Sequence, residues 1–282
     1  MSQALPAGRP GLSGVRRVEV TGMRDALHAE WTKLRTVSGP AWLLVGTIVL
    51  TVAVSAAATA AVKCPSGIAC PVDTPKLSLT GIEFGQAVVA ILAVLVISGE
   101  YSTGMIRITL TAMPRRSAVL AAKAVLVVGL VLAAGTIAVG GSVLAGRVIL
   151  PGHGFTPARG FPLESLADGP TLRAAAGSVL YLALIALLSL GIAAAVRDSA
   201  VAIGVVLGLL YLSPIIVSVV SGDPVWYHRL ERYAPMSAGL TIQDTIGLRG
   251  LAISPWGGLG VLAAWAAAAL LAGGLLLRRR DA

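Results

Sequence analysis

Between Arg173 and Arg197 the chain reads AAAGSVLYLALIALLSLGIAAAV (174–196), 23 residues without Asp, Glu, Lys, Arg or His. At about 1.5 Å per residue such a run crosses the ~30 Å hydrocarbon layer, where only a helix or a closed barrel satisfies its own backbone. Five more charge-free stretches repeat it, between Arg35 and Lys63, Glu83 and Glu100, Lys123 and Arg147, Asp198 and Asp223, and Arg249 and Arg278. The expectation is an all-α membrane protein. Its six transmembrane helices are drawn at Ala41 to Val62, Gly81 to Ser98, Val119 to Ala145, Leu172 to Val196, Ala200 to Val220 and Pro255 to Leu277.

Composition agrees: 56% of the 282 residues are hydrophobic and 12% charged, on the membrane side of the averages for soluble domains. An even number of spans puts both termini on one side. That side carries 14 basic residues, among them Arg9, Arg16, Arg17, Arg107, Arg115, Arg116, Lys123, Arg197 and Arg278 to Arg280, against 8 on the other. By the positive-inside rule both termini are cytoplasmic. The net charge of +9 then faces anionic lipid headgroups, with no soluble basic domain to bind nucleic acid. The expected location is the cell membrane, and the 18 Arg against 4 Lys fit high-GC coding and a bacterial source.

Residues 1–21, with Pro6, Gly8, Pro10, Gly11 and Gly14, read as a disordered cytoplasmic N-terminus, and 22–282 as one six-span domain. Met23, Leu27, Trp31 and Leu34 share one helical face, so a short amphipathic helix is expected in the interface before the first span. Cys64 and Cys70 are the only cysteines, both in the first outer loop. A disulfide between them is favoured over two free thiols, and they cannot complete a zinc site without further ligands. Only Arg197, Asp198 and Ser199 separate spans four and five, which demands a tight hairpin. Ala200, Gly204 and Gly208, and again Ala264, Ala268 and Ala272, form small-residue faces read as packing surfaces. Pro214 is expected to kink span five. Leu240, Ile242, Ile246, Leu248, Leu251 and Ile253 are too dense for a solvated loop, so the outer connection between spans five and six partly dips into the membrane.

A membrane enzyme needs a nucleophile, base or metal constellation at depth, and none is visible. The span interiors are read as lacking ionisable groups, which argues against ion coupling, although hydroxyls such as Thr136, Ser142 and Ser189 also bind ions. No Gly-Lys dipeptide occurs, so the phosphate loop of an ATPase is absent and the chain needs no cofactor of its own. Any ATP hydrolysis belongs to another polypeptide, reached through the inner loop after span two.

That loop reads Gly99-Glu100-Tyr101-Ser-Thr-Gly104-Met-Ile106-Arg107-Ile-Thr109-Leu110 and resembles the same stretch in membrane-spanning permease subunits of ATP-binding-cassette (ABC) transporters, type-2 exporter family. Glu30-Trp31-Thr32-Lys33-Leu34-Arg35-Thr36 is similar to the interfacial helix before their first span, and Tyr233-Ala-Pro235-Met-Ser-Ala238-Gly239 to a segment between their last two. The likeness covers about residues 22–278. It implies a homodimer or pseudodimer of six-helix subunits, docked on separate ABC ATPase subunits that bind ATP and Mg. Glu100, Tyr101, Gly104, Ile106, Arg107 and Thr109 would then couple to the ATPase, and Glu30, Trp31, Lys33 and Arg35 would form the interfacial helix. The simpler roles are topology for Arg107 and helix capping for Glu100. Ile106, Ile108 and Leu110 alternate with polar residues at a period of two, so either the coupling helix is confined to about Ser102 to Arg107 or docking imposes helix on an extended preference. The expected function is the translocation path of an ATP-driven exporter for hydrophobic or lipid-like cargo. The alternative is a six-pass membrane anchor or regulatory protein without transport.

Overall fold

Six helices long and apolar enough to cross a membrane form in the computed structural model, which describes residues 27–28, 30–32, 36, 38–65, 70–102, 116–161, 163–219, 229 and 231–280. All regular structure among them is helical. The chain is an all-α protein whose spans are α1 (Ser38–Ala61), α3 (Ile82–Ser102), α4 (Arg116–Ile149), α5 (Gly169–Val196), the broken fifth helix α6 (Ser199–Leu207) with α7 (Ser213–Val219), and α9 (Pro255–Arg280). Two short helices, α2 (Thr74–Ser78) and α8 (Pro235–Leu240), lie in the connections.

The stretch 174–196 makes the centre of the bundle. Tyr181, Leu182, Ile185, Leu188 and Leu190 of α5 are fully buried against α3, α4 and α9. A helix apolar all round belongs in such a position. By contrast α1, α6 and α9 turn most of their surface outward, as lipid-facing helices do. Backbones meet where glycine allows it. A Cβ on Gly191 of α5 would lie 2.5 Å from the backbone of Ala269 and Leu270 in α9, and Gly273 faces Gly191 O as closely. The small-residue faces expected to pack do not. Around Gly204 and Gly208 nothing lies within 4 Å of a built Cβ, and Ala264, Ala268 and Ala272 are exposed. Helix approach follows the Gly191–Gly273 contact, which turns those stripes away from the chain's own core.

Helix α4 has 34 residues and overruns the drawn third span at both ends. The fifth span is irregular at 208–212, a π-helical turn ahead of Pro214. A proline ring crowds the carbonyl four residues earlier, and one wide turn relieves that crowding. Glu83 lies in the first turn of α3, Arg147 in the last turn of α4 and Arg173 near the start of α5, so charged residues besides Lys123 stand within the spanning helices, toward their ends.

The connection between spans five and six re-enters the bundle over α8 and the 3-10 turn Thr241–Gln243. Met236, Ala238, Gly239 and Ile242 are buried, with Gly239 against the Tyr181 ring and Ile242 against Gly177. Ile246 and Leu248 are exposed, so the dip ends near Gln243.

Candidate functional site at the basic end of the bundle

The end where α1 begins and α9 finishes collects the residues singled out for partner contact. Residues 27, 28, 30–32 and 36 are helical, as an interfacial helix requires. Its buried side chain is Glu30, while Trp31 is 41% exposed. Lys33 and Arg35 lie outside the described residues. Glu30 Oε2 accepts a 2.6 Å hydrogen bond from Lys123 Nζ, and the two side chains are 7% and 3% exposed. Lys123 Nζ also approaches Val96 O of α3 at 3.4 Å. A lone charge among apolar helices costs several kcal/mol, and the partner's opposite charge offsets it. The pair therefore joins the N-terminal segment, α3 and α4 at one point.

A second junction follows the chain a turn and a half further along α3. Tyr101 is half-buried in the last turn, packed on the core, with the Arg197 guanidinium 5.4 Å from its ring centroid. Arg197 caps α5 in the left-handed conformation (φ 67°), its N–H donating to Ala193 O at 2.9 Å. Asp198 then accepts from Val201 N at 2.8 Å and opens α6, the tight hairpin expected there. Arg197 Nη2 also reaches Leu276 O in the last turns of α9 at 3.4 Å, where the helix dipole favours a cation. One arginine thus ties the ends of α3, α5 and α9. Glu100 is helical within α3, whereas Gly104, Ile106, Arg107 and Thr109 lie outside the described residues.

The opposite end is held by side chains from three connections. Cys64 and Cys70 form a disulfide. The bridged cysteines pack with Leu150, Phe155 and Phe161, and Arg159 Nη1 donates to Cys64 O at 2.9 Å. Gly154 has φ 95° and leaves no room for a side chain, since a Cβ would fall 2.4 Å from Cys64 O. Asp73 accepts from Lys76 N (3.2 Å), Thr245 N (2.6 Å), Thr245 Oγ1 (2.6 Å) and Ile246 N (3.1 Å), so one carboxylate starts α2 and clasps the last connection. Lys76 Nζ pairs with Asp244 at 2.6 Å. Glu164 is buried, its Oε1 accepting from Ser78 Oγ at 2.8 Å while Oε2 has no hydrogen-bond partner among the described residues. Burial and the neighbouring Asp73 charge push its carboxyl up to about 7, against the lowering effect of the Ser78 bond.

Between the two ends several polar groups on the span walls are engaged locally, whereas the buried Thr51 and Ser142 hydroxyls have no hydrogen-bond partner among the described residues. Thr136 and Ser189 donate back to carbonyls of their own helices at 2.7 Å each. Tyr181 OH donates to Gln86 Oε1, and Gln86 Nε2 donates to Glu83 O at 3.0 Å. Tyr211, in the π turn, donates to the same Glu83 carbonyl. Among the described residues no three His, Cys, Asp or Glu side chains gather to hold a metal ion.

Sequence reasoning missed Lys123 as the partner of Glu30 and Arg197 as a three-helix tie, because it read both as topology charges. Lys123 is marked by its burial inside an otherwise apolar helix, whereas Arg197 stands partly buried at the C-cap of α5. Neither a family model nor a curated protein matches the chain.

Proposed function

We propose that this protein is the membrane-spanning subunit of an ATP-driven exporter and that its basic end faces the cytoplasm, where a separate ABC ATPase docks. The observation that carries the reading is the sequence from Gly99 to Leu110 after span two, joined to a six-helix bundle in which Glu30 and Tyr101 converge on the same end. Such a loop receives motion from a partner only if its root is firmly held, and Tyr101 is held by Arg197. ATP and Mg would bind on the partner, since no phosphate loop is present here. Two subunits, identical or paralogous, would enclose the path, and the apolar outward surfaces of α1 and α6 favour a hydrophobic or lipid-like cargo.

The test is reconstitution in nanodiscs with the Walker-motif ATPase that co-purifies with this chain from native membranes. Hydrolysis is expected only in the complex. Arg107→Ala and Glu100→Ala are expected to lower hydrolysis and cargo movement together while insertion is unchanged. No co-purifying ATPase, with full membrane insertion, favours the anchor or regulatory protein instead. Unchanged hydrolysis and transport in both variants removes the loop from the mechanism.

A further inference from the structure

The buried pair Glu30–Lys123 has a role that neither the topology nor the resemblance assigns. Lys123 lies in the second turn of α4, inside a spanning helix, and its ammonium is 2.6 Å from Glu30 and 3.4 Å from the Val96 carbonyl of α3. As a stabiliser such a pair is a poor choice, because well-packed apolar residues of similar volume hold buried surfaces together as well or better. What ions supply and apolar contacts do not is a fixed register, since an apolar helix slides over an apolar wall with little penalty while a buried charge has one permitted position.

We propose that Glu30 and Lys123 are a positioning pair that locks the N-terminal segment to α3 and α4, so that displacement of that segment by a cytoplasmic partner moves the ends of spans two and three as one body. The partner half of this statement rests on the exporter reading above, and the locking half does not.

The experiment uses the full chain in nanodiscs, alone and with its ATPase. Nitroxides on Thr32→Cys and Ala121→Cys, both exposed positions, report the distance from segment to helix, and the bridged Cys64 and Cys70 take no label. The variants are the apolar pair Glu30→Leu with Lys123→Met and the swapped pair Glu30→Lys with Lys123→Glu. The wild type is expected to give one narrow distance, the apolar pair a distribution at least twice as broad at an unchanged melting temperature, and the swapped pair a narrow distance again. In the complex the apolar pair is expected to lower transport per ATP severalfold, and the swapped pair to recover most of it. An unchanged distance distribution in the apolar pair overturns the lock. A broadened distribution with unchanged transport per ATP confines the pair to structure and overturns its part in coupling. If the wild-type complex shows no partner-dependent hydrolysis, the exporter reading fails, while the distance measurement still decides the lock.

Discussion

The Arg197 guanidinium lies over the Tyr101 ring, 5.4 Å from its centroid, and it reaches there from a residue in the left-handed region. Most helices that end this way use glycine, because a Cβ in that conformation costs about 1 kcal/mol. Arg197 accepts the cost and contributes a cation to the ends of α3 and α9. Replacing it separates the two effects. Arg197→Gly keeps the turn and loses the side chain, whereas Arg197→Ala loses the side chain and keeps the strain. Thermal unfolding is expected to rank wild type above Gly and Gly above Ala, with about 1 kcal/mol between the last two. Equal stabilities for the two variants would show that backbone strain at 197 is negligible.

Cys64 and Cys70 close a seven-residue loop, for which loop entropy gives a stabilisation of about 2 kcal/mol. The bridge also presents Cys64 O to Arg159 and Cys64 N to His153 O, so its loss loosens the turn after α4. Cys64→Ser with Cys70→Ser is expected to lower the melting temperature, and hydrogen exchange should rise at 150–161 in the same variant. Faster exchange confined to 64–70 would mean that the two loops are energetically separate.

The spans were legible because a bilayer permits few backbones, and the charge-free run from 174 to 196 left no other choice. Their ends were less so. Helix α4 runs from Arg116 to Ile149, past the span drawn from Val119 to Ala145, and nothing in the sequence shows that Lys123 within it is compensated by Glu30, 93 residues away. The pairing of two distant charges leaves no periodicity to read. The small-residue stripe at 200, 204 and 208 was visible but ambiguous, since spacing shows a flat face and says nothing of what lies opposite. Of the candidate site, Tyr101 and Glu30 were found through resemblance. Arg197 was noticed only as part of a short turn, because its left-handed backbone and its three-helix reach appear only on folding.

Glu164 predicts the direction of a pH effect. Its carboxyl titrates near 7 when folded and near 4.5 when exposed, so between these values the folded state holds a proton that the unfolded state has released. Stability from this group is present in full below about pH 4.5 and declines as pH rises toward 7, by at most ~1.4 kcal/mol per pH unit. Ser78 donates to the group, Asp73 lies near, and Arg147 Nη1 contacts only its backbone carbonyl at 3.4 Å. Glu164→Gln is expected to flatten the melting curve between pH 5 and 8 and to be the more stable protein at pH 8. Superimposable pH profiles for the two proteins would reject the buried acid as their cause.

Two glycines on neighbouring spans should respond in opposite ways to the same added methyl group. At Gly191 a Cβ would stand 2.5 Å from the backbone of Ala269 and Leu270, and backbone cannot swing aside as a side-chain tip does. Gly191→Ala must therefore push α9 away from α5, the most extensive helix pairing among the described residues, at a cost of about 1–3 kcal/mol. At Gly204 nothing lies within 4 Å, and alanine is the better helix former by up to ~1 kcal/mol. Gly204→Ala is expected to leave the unfolding of the isolated subunit unchanged or slightly more resistant. Unfolding measured in one detergent, at protein concentrations that keep the subunit monomeric, compares the two directly. A large loss at Gly204 under those conditions would mean that the face of span five does meet another helix of its own chain, and a tolerated Gly191→Ala would mean that α5 and α9 are further apart than their glycines require.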